Sequence, residues 1–345
     1  MRASGKAALL ALAALLSCLL SAAGVYDRAE SISRARLDAG RMKNVVLLEA
    51  VSASPSPSPL PEPIPTTAPA PETEEAAPEV LAAVMETGSD AEIRSTTIAG
   101  GLKLKNETAY SVDVGQILQD GPQTRLPAEG PQILIIHTHG SEAYTPAGLD
   151  RYEANDTGRT EDLRCNVIRV GDELAALLES QGLRVLHDRE IYDYPSYTGS
   201  YARSEEAAEL ILAEYPEIAV IIDLHRDAIG ADGVVYKTMA EEEGTVASQI
   251  MLLVGTDDSG LEHPNWHSNL SLALYLQDAV VRLHPTLMRP VALVPQRYNQ
   301  HLTGGSLILE VGCSGNTLQE ALAAVRLFAE GAGPALLALQ ETGES

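Results

Sequence analysis

The chain alternates between two hydrophobic patterns. Short, mostly apolar runs occur at residues 133–136, 183–187, 218–224, 250–254, 291–294 and 307–311. Runs of that length read as strands buried on both faces, the kind found inside parallel sheets. Between them, residues 166–180 carry Val167, Val170, Leu174, Leu177 and Leu178 at helical spacing. Residues 200–214, 269–283 and 317–330 are read as further helices, the last capped by Asn316. Residues 98–108 predict a short strand and turn leading in, and residues 145–162 an irregular polar loop. Strands alternating with helices predict an α/β fold, a mixed, mostly parallel twisted sheet flanked by helices.

The first quarter of the chain has a different pattern. A short basic start is followed by residues 7–25, which carry no charge and are mostly Ala and Leu. That length is close to the ~20 residues a spanning helix needs, and preceding basic residues keep the N-terminus inside. Residues 1–25 are therefore expected to be a transmembrane helix acting as an anchor, or a signal segment cleaved near the small residues 21–24. Either way the rest lies outside the cytoplasm, a single-pass arrangement at the cell membrane if the anchor stays. Residues 26–95 read as a juxtamembrane segment and linker. Its Pro-rich part, residues 52–80, favours extended geometry and disorder and buries no core. The catalytic domain is expected at residues 96–335, with a tail at 336–345.

Composition narrows the picture. Apolar residues make up 45% of the 345 residues, but aromatics only 4%, so the core must be built from Leu, Val, Ile and Ala. A formal net charge of -24 argues against nucleic acid as a partner, because phosphates need Lys and Arg to neutralise them. Three Cys are too few for a disulfide scaffold. Cys18 lies in the N-terminal stretch, which leaves Cys165 and Cys313 as a pair to consider in an exported domain.

Three of the apolar runs lead into functional groups. The first leads to His137, His139, Ser141 and Glu142, the third to Asp223, His225 and Asp227, and the last contains Glu310. In a mostly parallel sheet, neighbouring strands deliver their carboxyl ends to one edge, where open α/β sheets carry ligands. Two imidazoles with one carboxylate suit a catalytic zinc, and a further carboxylate supplies a general base. Each of these residues also has a bland reading. His137 is expected to hydrogen-bond backbone, and Asp223 needs a partner inside an apolar strand, whether a ligating His or the backbone. Arg226 is a candidate for stabilising an oxyanion or for an ordinary ion pair. Arg203, Arg297, Asn299 and His301 are candidates for a peptide cleft, as are the tyrosines of residues 192–197 and Trp266, each with a structural alternative. Cys313 beside Glu310 is a weaker candidate, the nucleophile of a Cys–His hydrolase.

The motifs Ile136-His-Thr-His-Gly-Ser-Glu-Ala-Tyr144, Asn166-Val-Ile-Arg-Val-Gly-Asp-Glu-Leu174 and His187-Asp-Arg-Glu-Ile-Tyr-Asp-Tyr-Pro-Ser-Tyr197 form a recognisable set. With Ile222-Asp-Leu-His-Arg-Asp-Ala228, His263-Pro-Asn-Trp266, Arg297-Tyr-Asn-Gln-His301 and Leu309-Glu-Val-Gly312, it resembles the SpoIIP family of cell-wall hydrolases, over residues 103–328. The resemblance implies a fold similar to zinc N-acetylmuramoyl-L-alanine amidases. It also implies a membrane anchor and action on peptidoglycan in forespore engulfment, alongside SpoIID and SpoIIM. The implied activity is removal of stem peptides from glycan. Endopeptidase cleavage of cross-links, or a non-catalytic wall-binding scaffold, is the alternative. Carried over by position, His139 and His225 resemble zinc ligands and Glu310 the catalytic glutamate. For the remaining ligand, such amidases place a Glu four residues ahead of an Asn, a position held here by Asp162. Glu142, nearer His139, is the first choice for that ligand, with Asp162 the alternative.

Overall fold

A computed structural model describes residues 45–47, 83–84, 90–98, 101–145, 151–153, 158–231, 234–242 and 244–341. The expected anchor at residues 1–25 and most of the expected linker lie outside the described residues, as does the end of the tail. Among the described residues, no helix is long and apolar enough to cross a membrane. The chain divides into two units, Met1–Val45 and Val46–Ser345, and the architecture that follows is that of the second.

Its principal strands are β1 (Asp90–Thr96), β2 (Leu104–Asn106), β3 (Ile133–Ile136), β4 (Val185–Asp188), β5 (Val220–Asp227), β6 (Val234–Glu242), β7 (Thr245–Ser248), β8 (Ile250–Gly255), β9 (Val291–Val294) and β10 (Ser306–Cys313). The helices are α1 (Val114–Asp120), α2 (Val167–Ser180), α3 (Ser200–Glu214), α4 (Trp266–Val281) and α5 (Leu318–Leu337). Neighbouring strands of the central sheet run β4-β3-β5-β10-β8-β9-β2. Every pairing along that path is parallel except β10 with β8. The sheet is thus mixed and mostly parallel, as the apolar runs predict. All four residues of β3 are buried, as are all four of β4 and of β9.

Chain order explains where a site can form. From β3 the chain passes through α2 to β4 on one side, then returns through α3 to β5 on the other. Right-handed crossovers put α2 and α3 on opposite faces. The strand order reverses between β3 and β5, which opens a crevice at their carboxyl ends. On one face, α2 packs on α5, and α5 on α4. Helix α2 buries Val167, Val170, Leu174 and Leu178 at the expected spacing, and Asn166 caps it by accepting from the Ile168 N–H.

Several details differ from the pattern-based reading. Strands β5 and β10 continue past their apolar runs to Asp227 and Cys313, because parallel pairing carries on from Ser306↔Ile221 to Glu310↔His225. His225 is therefore inside a strand rather than past its end, beside Glu310. The register is broken only beyond Glu310, and Cys313 then pairs with Asp227. Gly312 there has φ +67, with Asn316 Oδ1 only 2.9 Å from where a Cβ would stand. The last helix is capped by Thr317, which forms a capping box with Glu320. Asn316 instead accepts from the backbone N–H of Thr238 and Cys313. That helix also runs through Pro334 to Leu337, beyond the expected end at residue 330.

A second sheet has no counterpart in the apolar pattern. Strand β6 pairs antiparallel with β7 and parallel with β1, and Arg151–Glu153, within the expected irregular loop, pairs with β1. The Lys237, Glu241 and Glu242 side chains break the apolar pattern of β6. Cys165 and Cys313 are free thiols, so the considered disulfide is not formed.

Beneath the crevice, His137 turns into the sheet. Its Nδ1–H donates to the Leu224 carbonyl (2.9 Å), and its Nε2 lies 2.8 Å from His187 Nε2. His187 Nδ1 in turn lies 3.2 Å from Asp172 Oδ1. Burial, reinforced by His187, pushes His137 down to about 3, so it stays neutral. Gly171 of α2 makes room for the pair, since a Cβ there would stand 2.7 Å from Nε2 of each ring. Gly171→Ala should therefore destabilise the fold by roughly 1–3 kcal/mol despite the better helix propensity of Ala. The expected readout is a lower denaturant midpoint with an unchanged slope. A midpoint at or above that of the wild type would show that the pair can move aside.

Candidate active site

The crevice gathers His139 and Glu142 from the turn after β3 and His225 from β5. The turn is closed by Glu142 N–H donating to the His139 carbonyl (3.1 Å) and tied to α2 by Val167 N–H donating to the Glu142 carbonyl (2.8 Å). All three side chains are buried. His225 Nδ1 lies 3.5 Å from Glu142 Oε2. The His139 and His225 rings meet edge to face, with centroids 5.3 Å apart. On the neighbouring strand, Glu310 is the register partner of His225, so the two side chains share a face.

Asp223 answers the question of a carboxylate in an apolar strand. Its Oδ1 accepts from Thr138 N–H (2.8 Å) and its Oδ2 from the Thr138 hydroxyl (2.7 Å). Oδ1 also lies 2.9 Å from His225 Nε2, as an ion pair out of hydrogen-bonding alignment. His225 thus stands between two carboxylates. Burial alone would lower its pKa, but Asp223 and Glu142 together raise it well above the usual value. Burial would raise Glu142, yet His225 and Arg226 outweigh it and hold that carboxyl at about 2. His139 is lowered by burial and by His225.

Glu310 is perturbed in the opposite direction. Burial, with Asp227 and Glu142 nearby, pushes its carboxyl up to about 8 against the pull of His225 and Arg289. The residue keeps partial access to solvent, while Oε2 is buried with no hydrogen-bond partner. Arg226 takes neither of the two places considered for it, oxyanion contact or ordinary ion pair. Its guanidinium donates to the backbone carbonyls of Ala143 and Gly158, and its N–H donates to Glu142 Oε2 (3.0 Å). It anchors the loop and orients Glu142.

Asp162 is not brought into the cluster by any contact described. Its carboxylate caps the Arg164 N–H (3.0 Å) and pairs with the Arg164 guanidinium (2.7 Å). Asn299 donates to the Tyr201 carbonyl, while Arg297 and His301 both pair with Glu205. Trp266 is buried and stacks on Tyr110. These residues brace the scaffold. The Cys313 thiol donates to the Tyr236 carbonyl, and burial pushes it up to about 11, which is wrong for a nucleophile. Of the loop at residues 192–197, Tyr192 is buried, whereas Tyr197 is exposed and stacks on His139. Sequence reasoning missed Arg159, Asp193, Tyr201 and Tyr298. Asp193 and Tyr298 lie inside quoted motifs, Tyr201 follows one and meets His139 edge to face, and Tyr298 also has a left-handed φ of 52°.

Among the described residues, no group of three or more His, Cys, Asp and Glu side chains stands in a finished metal-holding arrangement. The donor set still fits zinc in kind. Two donors about 2.0–2.1 Å from one tetrahedral ion lie roughly 3.4 Å apart, close to the 3.5 Å between His225 Nδ1 and Glu142 Oε2. Asp223 on the far nitrogen of His225 is the outer partner that a ligating His has. His139 Nδ1 is buried and has no hydrogen-bond partner.

A model of the family described as Stage II sporulation protein P (SpoIIP) matches residues 67–332. The chain is 28% identical over 227 residues to Stage II sporulation protein P of Bacillus subtilis (strain 168), covering 61% of this chain and 54% of that protein. It thus spans about half the length of that relative. Among solved structures, N-acetylmuramoyl-L-alanine amidase AmiC2 of Nostoc punctiforme is 16% identical, with a TM-score of 0.35 over 61% of this chain and 98% of that one. The N-acetylmuramoyl-L-alanine amidase from Clostridium difficile 630 is 17% identical, with a TM-score of 0.36 over 61% and 97%. Because the family match runs through most of the chain, from the linker to the last helix, the protein belongs to the SpoIIP family.

Proposed function

We propose that the protein is a zinc-dependent peptidoglycan hydrolase of sporulation that cleaves the amide between N-acetylmuramic acid and the L-alanine of the stem peptide. The observation that carries this reading is the meeting of His139, Glu142 and His225 with the partnerless carboxylate oxygen of Glu310 at the switch point of the sheet. Membership of the SpoIIP family supports the substrate and the setting. In this reading the chain is held at the cell membrane by its N-terminal segment and faces the wall, with SpoIID and SpoIIM as partners in engulfment.

His139, Glu142 and His225 would hold the zinc, and Asp223 would keep His225 turned toward it. When bound, zinc supplies a lowered pKa for water and polarisation of the amide carbonyl. Glu310 Oε2 accepts the proton of the attacking water and returns it to the leaving amine nitrogen. The Arg226 guanidinium, committed to backbone carbonyls, positions Glu142 rather than meeting the oxyanion.

The full chain is expected to hold near-stoichiometric zinc and to release stem peptides from intact glycan, read by mass spectrometry of digested sacculi. Shortened cross-links in place of free stem peptides would assign endopeptidase activity instead. Glu142→Ala should lose zinc and Asp162→Ala should keep it, and the reverse pattern would exchange their roles. Glu310→Ala should retain zinc while release falls by roughly 10²-fold or more. Release at the wild-type rate would remove Glu310 as the base.

The raised pKa of Glu310 has a signature in stability. A carboxyl at about 8 when folded, against an ordinary 4.5, binds its proton more tightly in the folded state. The folded protein therefore loses stability as pH rises through that window. Glu310→Gln carries no such loss. With metal removed by a chelator, its Tm advantage over wild type should grow from about pH 5 to about pH 8. A constant difference across that range would place Glu310 in a more solvated setting than described.

A further inference from the structure

Residues 158–160 run back along residues 141–143. Ala143 N–H donates to the Gly158 carbonyl (2.8 Å) and Thr160 N–H to the Ser141 carbonyl (2.6 Å), so Arg159 stands directly opposite Glu142. From there the guanidinium reaches three groups. Its Nη2 lies 3.5 Å from Glu142 Oε1. Its Nη1 donates to Asp193 Oδ2 and to Ser141 Oγ. Its Cζ lies 4.9 Å from the centroid of the Tyr197 ring. Tyr197 in turn stacks on His139, with centroids 4.5 Å apart and planes 15° from parallel. Asp193 Oδ2 lies 3.8 Å from His139 Nδ1. The contacts close a loop, His139–Tyr197–Arg159–Glu142, that touches two of the three zinc-ligand candidates.

The tyrosine loop is built to hold that position. Arg203 donates to the carbonyls of Tyr192, Ser196 and Thr198. Buried Asp193 accepts from both the N–H (3.0 Å) and the hydroxyl (2.6 Å) of Ser141. Tyr197 itself is 58% exposed, so its ring contributes little to the core and lies against His139 instead.

We propose that Arg159 and Tyr197 are positioning residues for the metal centre. Tyr197 fixes the plane of the His139 ring, and Arg159 fixes both the Glu142 carboxylate and the Tyr197 ring. The proposal rests on the reading of His139, Glu142 and His225 as zinc ligands. Stacking and a cation over the ring restrict rotations that would otherwise compete with ligation. Outer partners of this kind set metal affinity, and their loss typically costs 10–100-fold.

The test is zinc affinity of the full chain, measured by competition with a chromogenic chelator, with zinc alone as the probe. Tyr197→Ala and Arg159→Ala should each weaken binding by roughly 10–100-fold. Tyr197→Phe, which keeps the stack, should bind as wild type. The metal-free Tm of Tyr197→Ala should match wild type, which separates positioning from a folding defect. Wild-type affinity in both alanine variants, with zinc still bound by the wild type, overturns this proposal alone. Wild-type affinity with a raised KM in Arg159→Ala would make Arg159 a substrate contact and overturn its positioning role. A wild-type chain that takes up no zinc overturns the functional reading beneath it, and the proposal with it.

Discussion

A carboxylate inside an apolar strand holds the site together. Asp223 is buried among hydrophobic neighbours in β5, where an unpaired charge costs far more than a hydrogen bond returns. It is satisfied by the backbone and hydroxyl of Thr138, at the end of β3, and by His225 two residues along its own strand. One side chain therefore joins the two strands that flank the switch point and aims the imidazole between them. Removing it would leave the Thr138 N–H without this acceptor and His225 without one of its two carboxylate neighbours.

Much of this was legible in the sequence, for a definite reason. Buried parallel strands are mostly apolar runs, so the polar residues in or just after them stand out: His139 after β3, His225 in β5, Glu310 in β10. What could not be read was how far the strands continue. Strand continuation past an apolar run is decided by pairing with a neighbour, as Glu310↔His225 shows, and no local pattern encodes it. The second sheet escaped because β6 alternates poorly and β7 is only four residues long. The cap of α5 falls one residue later than the sequence suggests because Asn316 and Thr317 are both good N-caps, and a tertiary bond from Thr238 and a local one from Cys313 claim the asparagine. Arg159 left no trace at all. Its place depends on a bridge to Glu142 formed by a polar segment with neither period.

The electrostatics of the crevice follow from unequal partnership. Glu142 and Asp223 have cationic and N–H neighbours and stay ionised, whereas Glu310 faces burial and two other carboxylates. Carboxyl groups in one small volume are thereby pushed apart in acidity. This is the division of labour that acid–base chemistry requires, and it arises from the neighbours each carboxyl is given.

The irregularity in β10 lies just beyond Glu310, at Gly312. Side chains on a strand alternate faces, so a one-residue slip ahead of Glu310 would turn it away from His225. Beyond it, the pairing is already interrupted and resumes at Cys313. Changes in chain length are therefore unequal in effect along this one strand. An insertion before Glu310 would dismantle the crevice, whereas one at the break leaves the upstream register untouched. The segment after the break is where this strand can change length without turning Glu310 off the face it shares with His225.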